Sequence, residues 1–177
     1  MKYSPLYLIL GFLFLIGIVS SLGLNVSESI KRPYGEMWNY TSAGWNFDVD
    51  TAGVYYNLTG LGPSDLKGFT FVGATGANGG SHLVAQVAGR YAVEFHMSFS
   101  SQAQGGLYGV SIAHDYNPNT HRECYARRTA SLGTGNLGIT CIMTLKVGDR
   151  VAVMIENELN TRDISIETVN LNLHMLD

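Results

Sequence analysis

The residues of this chain whose types could do chemistry are five histidines, a few spaced carboxylates and a small set of arginines. No histidine falls in an HExxH pattern and no two stand at a metal-ligand spacing, which excludes a helical zinc site. His114 and Asp115 close an alternating apolar run, a polar stretch follows over 116–120, and His121 ends it. With Tyr116 and Asn117 they form an exposed loop where an imidazole, a carboxylate and a phenol could touch a ligand. Asp48 and Asp50 flank Val49, so alternation puts both carboxylates on one face, as in a calcium pair, an acid–base pair or a solvated edge. Ser111 lies in GVSIA, which lacks the second glycine and the strand-to-helix setting of a nucleophile elbow. The glycine-rich GATGANGG of 73–80 has neither a following Lys-Ser/Thr nor a helix, so it reads as a loop and not as a phosphate cradle. Arg122, Arg127 and Arg128 with Tyr125 would suit an anionic sugar or phosphate, but alternation divides them between two faces. No catalytic constellation survives, and the expectation is a non-enzyme with no cofactor and no metal.

Those residues must be placed by elements, and composition says which kind. Charged residues are 14%, with 11 basic against 14 acidic, so no strong field attracts nucleic acid. Glycine (21) and tyrosine (10) are frequent among many Val, Ile and Thr, which favours short strands and sharp turns. Outside the N-terminus no helical period is sustained. The class is all-β.

The N-terminal segment stands apart. Lys2 precedes the apolar run LYLILGFLFLIGIV at 6–19, the core of a secretory signal, with small residues Ser20, Ser21 and Gly23 as a cleavage site. Extended over 6–26 the run is also long enough to anchor the chain in a membrane as a helix. Either reading of 1–26 puts the rest of the chain outside the cytoplasm, as a secreted, membrane-anchored or virion protein. A polar linker at 27–33 leads to one globular domain, 34–177. Sequons at Asn25, Asn39 and Asn57 permit glycosylation where a pathway exists for it.

Candidate strands cover 35–41, 46–50, 54–59, 68–73, 82–86, 90–100, 107–116, 122–130, 137–145, 150–158 and 163–176, with GLGPSD, SQAQGG, NPNT, SLGTGN and KVGD among the turns between them. Such spacing predicts a sandwich or closed barrel of roughly eight to ten strands. In RYAVEFHMSF, Tyr91, Val93, Phe95, Met97 and Phe99 share one face. In the last strand, Val169, Leu171, Leu173 and Met175 oppose Asn170, Asn172 and His174. That second face is polar and holds no acid or fixed cation, suiting either a hydrogen-bonded subunit contact or plain solvent. In LKVGDRVAVMIENE, period-two runs flank a Gly-Asp pair, which predicts an antiparallel hairpin with glycine at positive φ and aspartate capping the turn.

The order GRYAVEFHMSF, YGVSIAHD, LKVGDRVAVMIENE and a terminal IETVNLNLHML resembles the C1q/TNF-like jelly roll. Gly89 to Tyr91 opens a long strand, Leu145 to Val151 holds the Gly-Asp turn, and the chain finishes near Leu176. The GEMW of Gly35 to Trp38 is similar to versions in phage and virus fibre, spike and capsid-associated proteins. The resemblance covers about Tyr34 to Asp177 and implies a ten-stranded antiparallel sandwich, assembling as a compact homotrimer and acting by binding. Implied partners are a surface receptor, a glycan or a neighbouring structural protein, and the membrane through 6–26 if that segment is kept. A viral surface or attachment protein is one form; a secreted or tethered ligand of a cellular receptor is the other.

Cys124 and Cys141 are the two cysteines. If their strands pair about the middle of 131–136, Cys141 falls one turn-centre shift from opposite Cys124. If the strands lie in opposite sheets, as the family's fifth and sixth do, the two meet only if both point inward. Export favours a bond; two buried thiols behaving as core hydrophobes is the other reading.

Overall fold

A computed structural model describes residues 32–177 apart from 75–78, 102–104, 119–121 and 131–132. The predicted N-terminal helix over 1–26, most of the linker and the Asn25 sequon lie outside the described residues. A compact unit runs from Arg32 to Asp177. The Arg32 guanidinium donates to the Leu176 carbonyl, and the Met175 N–H donates to the Pro33 carbonyl at 2.9 Å.

The strands are β1 (Tyr34–Phe47), β2 (Tyr56–Asn57), β3 (Gly62–Lys67), β4 (Phe69–Val72), β5 (His82–Ala85), β6 (Gly89–Ser101), β7 (Gly106–His114), β8 (Tyr125–Ala130), β9 (Gly133–Leu145), β10 (Arg150–Asn157) and β11 (Ile164–Met175). They form two antiparallel sheets. One runs β3-β1-β11-β6-β9; the other runs β4-β5-β10-β7-β8, with β2 added beside β10.

Period-two patterning builds the core between the sheets. Tyr91, Val93, Phe95, Met97 and Phe99 of β6 are buried, as are Val169, Leu171 and Leu173 of β11. On β11 the apolar positions change phase, from Ile164 and Ile166 to Val169. A register shift between Ile166 and Thr168 absorbs the extra residue, so every apolar side chain stays inward. The matching irregularity in β1 falls between Tyr40 and Trp45, with Gly44 at φ +68°. It fuses the two segments expected at 35–41 and 46–50 into one long strand that ends at Phe47. In the facing sheet, β10 is buried on both faces after Arg150, as a central strand covered from outside must be.

Four further expectations need correcting. The turn at 146–149 is no hairpin within a sheet, because β9 and β10 lie in opposite sheets and the turn carries the chain across the core. Alternation records a buried face; it does not distinguish a sheet neighbour from a strand facing it. The local chemistry of the turn is as read: Gly148 has φ +93°, and the Lys146 N–H donates to Asp149 Oδ2 at 2.8 Å. GLGPSD is partly strand, since β3 begins at Gly62 and pairs with β1. Residues 122–130 open with a 3-10 turn, Arg122–Cys124, before β8 starts. The segment expected at 54–59 is strand only at Tyr56–Asn57.

Candidate functional site

At one end of the six-stranded sheet, β7 finishes in a tight turn that gathers side chains from three elements. The Asn117 N–H donates to the His114 carbonyl at 2.9 Å, and both central residues have positive φ, Asp115 at 49° and Tyr116 at 60°. Such turns normally hold Asn-Gly, so a tyrosine here costs conformational energy that neighbouring contacts must offset. They are present. The Asp115 N–H donates to the Arg150 carbonyl at 2.9 Å, and the Arg150 N–H returns to Asp115 Oδ1 at 3.0 Å. The Tyr116 hydroxyl lies 2.8 Å from Nδ1 of the buried His82, and the Arg150 guanidinium sits 5.9 Å from the Tyr116 ring centre. Burial raises the Tyr116 hydroxyl above the ordinary phenol range, with Arg150 partly opposing.

His114 Nε2 lies 2.8 Å from Asp149 Oδ2 and 3.7 Å from Asp115 Oδ2. Ligand atoms of the three residues all fall within 4.8 Å of one another, a spacing that could hold a divalent ion. The same geometry also acts as a clamp between the ends of β7 and β10. Asp149→Ala removes both the turn cap and the imidazole's partner and is expected to cost about 2 kcal/mol. Asp149→Asn keeps the cap and should lose less. A urea midpoint identical to wild type for the alanine variant would show that the clamp holds nothing.

Near the other end of β10, on the outer face of the same sheet, sits a second polar group. Glu156 is only 8% exposed. Burial and then its bond to Glu156 push the Tyr55 hydroxyl far above the phenol range. The Tyr125 hydroxyl donates to Glu158 Oε1 at 2.5 Å, and Arg127 reaches Glu158 Oε2 at 3.3 Å. Gly109 makes the room: a methyl there would lie 2.7 Å from the Tyr125 hydroxyl and 2.8 Å from Glu156 Oε1.

The outer face of the five-stranded sheet differs in kind. Asn170 faces Trp38 on β1 and His96 on β6; Asn172 faces Glu36 and Glu94. Asn170 Nδ2 donates to Glu36 Oε1 at 2.9 Å, and Asn172 Nδ2 to Asn170 Oδ1 at 2.6 Å, an amide ladder along the centre of the sheet. His174 lies exposed at its end. Around it Trp38 is 45% exposed, Tyr40 63% and Ile142 46%.

The remaining predicted residues scatter. Asn39 is half-buried and its Nδ2 donates to the Gly60 carbonyl at 2.7 Å; Asn57, on β2, packs tightly against Gly80. His121 lies outside the described residues. Arg128 turns away from Arg127 and donates to the Asn136 carbonyl at 2.5 Å. Ser111 is buried and bonds the Pro118 carbonyl at 3.0 Å, tying the contact loop to β7. Cys124, in the 3-10 turn before β8, and Cys141, on β9, are joined by a disulfide with Cα atoms 5.4 Å apart. β8 and β9 are the same-side edge strands of the two sheets, so the bond links the sandwich across its open edge. Sequence reasoning missed His82, Asp149, Arg150 and Glu156 as site residues. Only Asp149 carried a signal, and that signal was for a turn.

Two five-strand paths, β3-β1-β11-β6-β9 over β4-β5-β10-β7-β8, can now be set beside known structures. Solved structures similar to this one include Eiger TNF from S. frugiperda (TM-score 0.57, 15% identity, 82% of this chain and 94% of that one). The PRD1 vertex protein P5 is similar at TM-score 0.53 and 14% identity, over 82% of this chain and 98% of that one. So is the globular domain of zebrafish complement 1qA (TM-score 0.50, 12% identity, 82% and 98%). The fold is a C1q/TNF-like jelly roll. No family model and no curated protein matches the sequence. In this jelly roll the carboxy-terminal strand β11 is the centre of one sheet, so the amide ladder stands mid-face, while the His114 turn stands at an end.

Proposed function

We propose that the jelly-roll domain is a non-enzymatic binding module that assembles as a homotrimer and is displayed outside the cytoplasm, as a viral surface or attachment protein. One observation carries the assembly: the open Trp38, Tyr40 and Ile142 around the Glu36–Asn170–Asn172 ladder on a single sheet face. Large exposed apolar side chains that share one sheet face mark an interaction surface, and a second copy of the same chain is the partner proposed for it. Asn170, Asn172 and His174 then lie in the subunit contact, and the His114–Asn117 turn stands at the end of the sandwich, away from that contact, to meet a receptor, a glycan or a neighbouring structural protein. Likeness to a vertex protein supports the virion form. Likeness to TNF and complement domains supports the other form, a secreted or membrane-tethered ligand.

Sedimentation equilibrium of residues 32–177, which retain the Arg32 and Pro33 contacts, is expected to give a trimer; a monomer at micromolar concentration overturns the assembly. Asn172→Lys breaks the bond to Asn170 and sets a long cationic side chain between Glu36 and Glu94 in the middle of the contact, and it is expected to abolish association. Unchanged assembly and melting would remove Asn170, Asn172 and His174 from the contact. An antibody to the domain, imaged on native particles and on cell surfaces, separates virion protein from ligand.

A further inference from the structure

We infer that the cleft between the end of β1 and the short strand β2 binds a neutral carbohydrate chain. The inference rests on the reading of the domain as an exposed binding module and gives that module a ligand class and a place for it. The cleft encloses about 490 Å3, within the range of ligand clefts, and its polar lining comes from Asn46, Asp48, Asp50, Tyr55, Asn57 and Thr59.

Its walls are fixed by the fold. Val49 is buried and its N–H donates to Asp163 Oδ1 at 2.9 Å, so the alternating Asp48 and Asp50 are both turned outward. Tyr56 and Asn57 pair with Ile155 and Met154 of β10, and the bond to buried Glu156 ties down the Tyr55 ring. A ligand would therefore meet prepared surfaces and little ordering cost.

The chemistry of the lining selects the ligand. Asp48 and Asp50 are exposed and, among the described residues, make no hydrogen bond or ion pair. Among the described residues no lysine, arginine or histidine lines the cleft, so an anionic ligand would meet only repulsion. Among the described residues no third His, Cys, Asp or Glu joins the two aspartates in a metal-ligand group, which argues against a bare cation. What remains is a ligand rich in hydroxyl donors with an apolar C–H face. Carboxylates accept from neighbouring sugar hydroxyls through charge-assisted bonds, amides and Thr59 serve the rest, and the tyrosine rings cover the C–H face.

The test titrates the full chain, held in a detergent that is not itself a glycoside, with maltotriose, mannotriose, chitotriose, trigalacturonate and spermidine. At least one neutral trisaccharide is expected to bind in the millimolar range or tighter, and trigalacturonate is expected not to bind. Asp48→Ala combined with Asp50→Ala should weaken sugar binding by about ten-fold or more with melting unchanged, because both side chains are exposed and have no partner among the described residues. Binding of no neutral trisaccharide, equal binding of trigalacturonate, binding of spermidine alone, or full affinity in the double variant each overturns the site. Sedimentation decides the trimer separately, so a trimer that binds no sugar loses the cleft and keeps the assembly.

Discussion

Replacing Cys124 and Cys141 together by alanine is expected to lower the stability of the domain by about 3 kcal/mol, chiefly by freeing the unfolded chain. The bond spans 17 residues, a loop whose closure removes unfolded-state entropy of that size. Alanine is the better replacement because both cysteines are buried among apolar neighbours, where a serine hydroxyl would add its own desolvation cost. For a domain of this length the melting temperature should fall by about 6–12 °C. The position of the bond adds a local effect. β8 and β9 are edge strands in opposite sheets and follow one another in the chain, so the disulfide is a second covalent link across that edge, tying the start of β8 to β9 away from the segment that joins the two. Loss should therefore appear first as faster amide exchange along β8. Thiol titration of the unfolded, unreduced protein comes before the variant, and two free thiols would remove the premise. A bond that is found, with an alanine pair as stable as wild type, would show instead that the native state gives back in strain what the loop closure contributes.

The way this bond is reached shows where the sequence is legible. Alternation identified Tyr91 to Phe99 and Val169 to Leu173 as inward faces, because burial on one side imposes period two whatever the neighbour is. It could not say which strand is the neighbour. The runs on either side of Gly148–Asp149 look alike whether they pair in one sheet or belong to two sheets with the core between them, and they belong to two. Composition misled at β3, where Gly62 and Pro63 read as a turn; an edge strand tolerates proline because no neighbour needs its missing N–H on the open side. The candidate sites were the least legible part. His114, Asp115 and Tyr116 stood out as neighbours in sequence, but His82 and Arg150, which hold Tyr116 in its unfavourable φ, arrive from strands 34 residues away in each direction. Tyr55 and Glu156 carry no motif at all and meet only because the segment before β2 lies over the outer face of β10.

That covered outer face leads to the second large effect: above about pH 10 the domain is expected to lose stability steeply. Burial first, then the bond to Glu156, raises the Tyr55 hydroxyl far above its ordinary value; burial first, then Glu158, does the same to Tyr125. Burial also raises Tyr91, whose hydroxyl donates to the Val87 carbonyl at 2.7 Å. In the unfolded chain these phenols ionise near pH 10. Beyond that point the unfolded state holds fewer protons than the native state, so the free energy of unfolding falls as pH rises. Groups raised in the folded state thus contribute their full stability below about pH 10 and lose it as pH climbs towards their native values. For Tyr55 and Tyr125, both partly solvated, the loss should be about 1 kcal/mol each per pH unit, under the limit of 1.4 for a whole proton. Urea unfolding at about pH 9, 10 and 11 measures the slope. Tyr125→Phe should flatten it by roughly one tyrosine's share, and it should do so without moving the slope below pH 9, where that phenol is neutral in both states. A stability that stays level from pH 9 to 11 would mean that water reaches the Tyr55–Glu156 contact, and that the segment before β2 does not seal the outer face of β10.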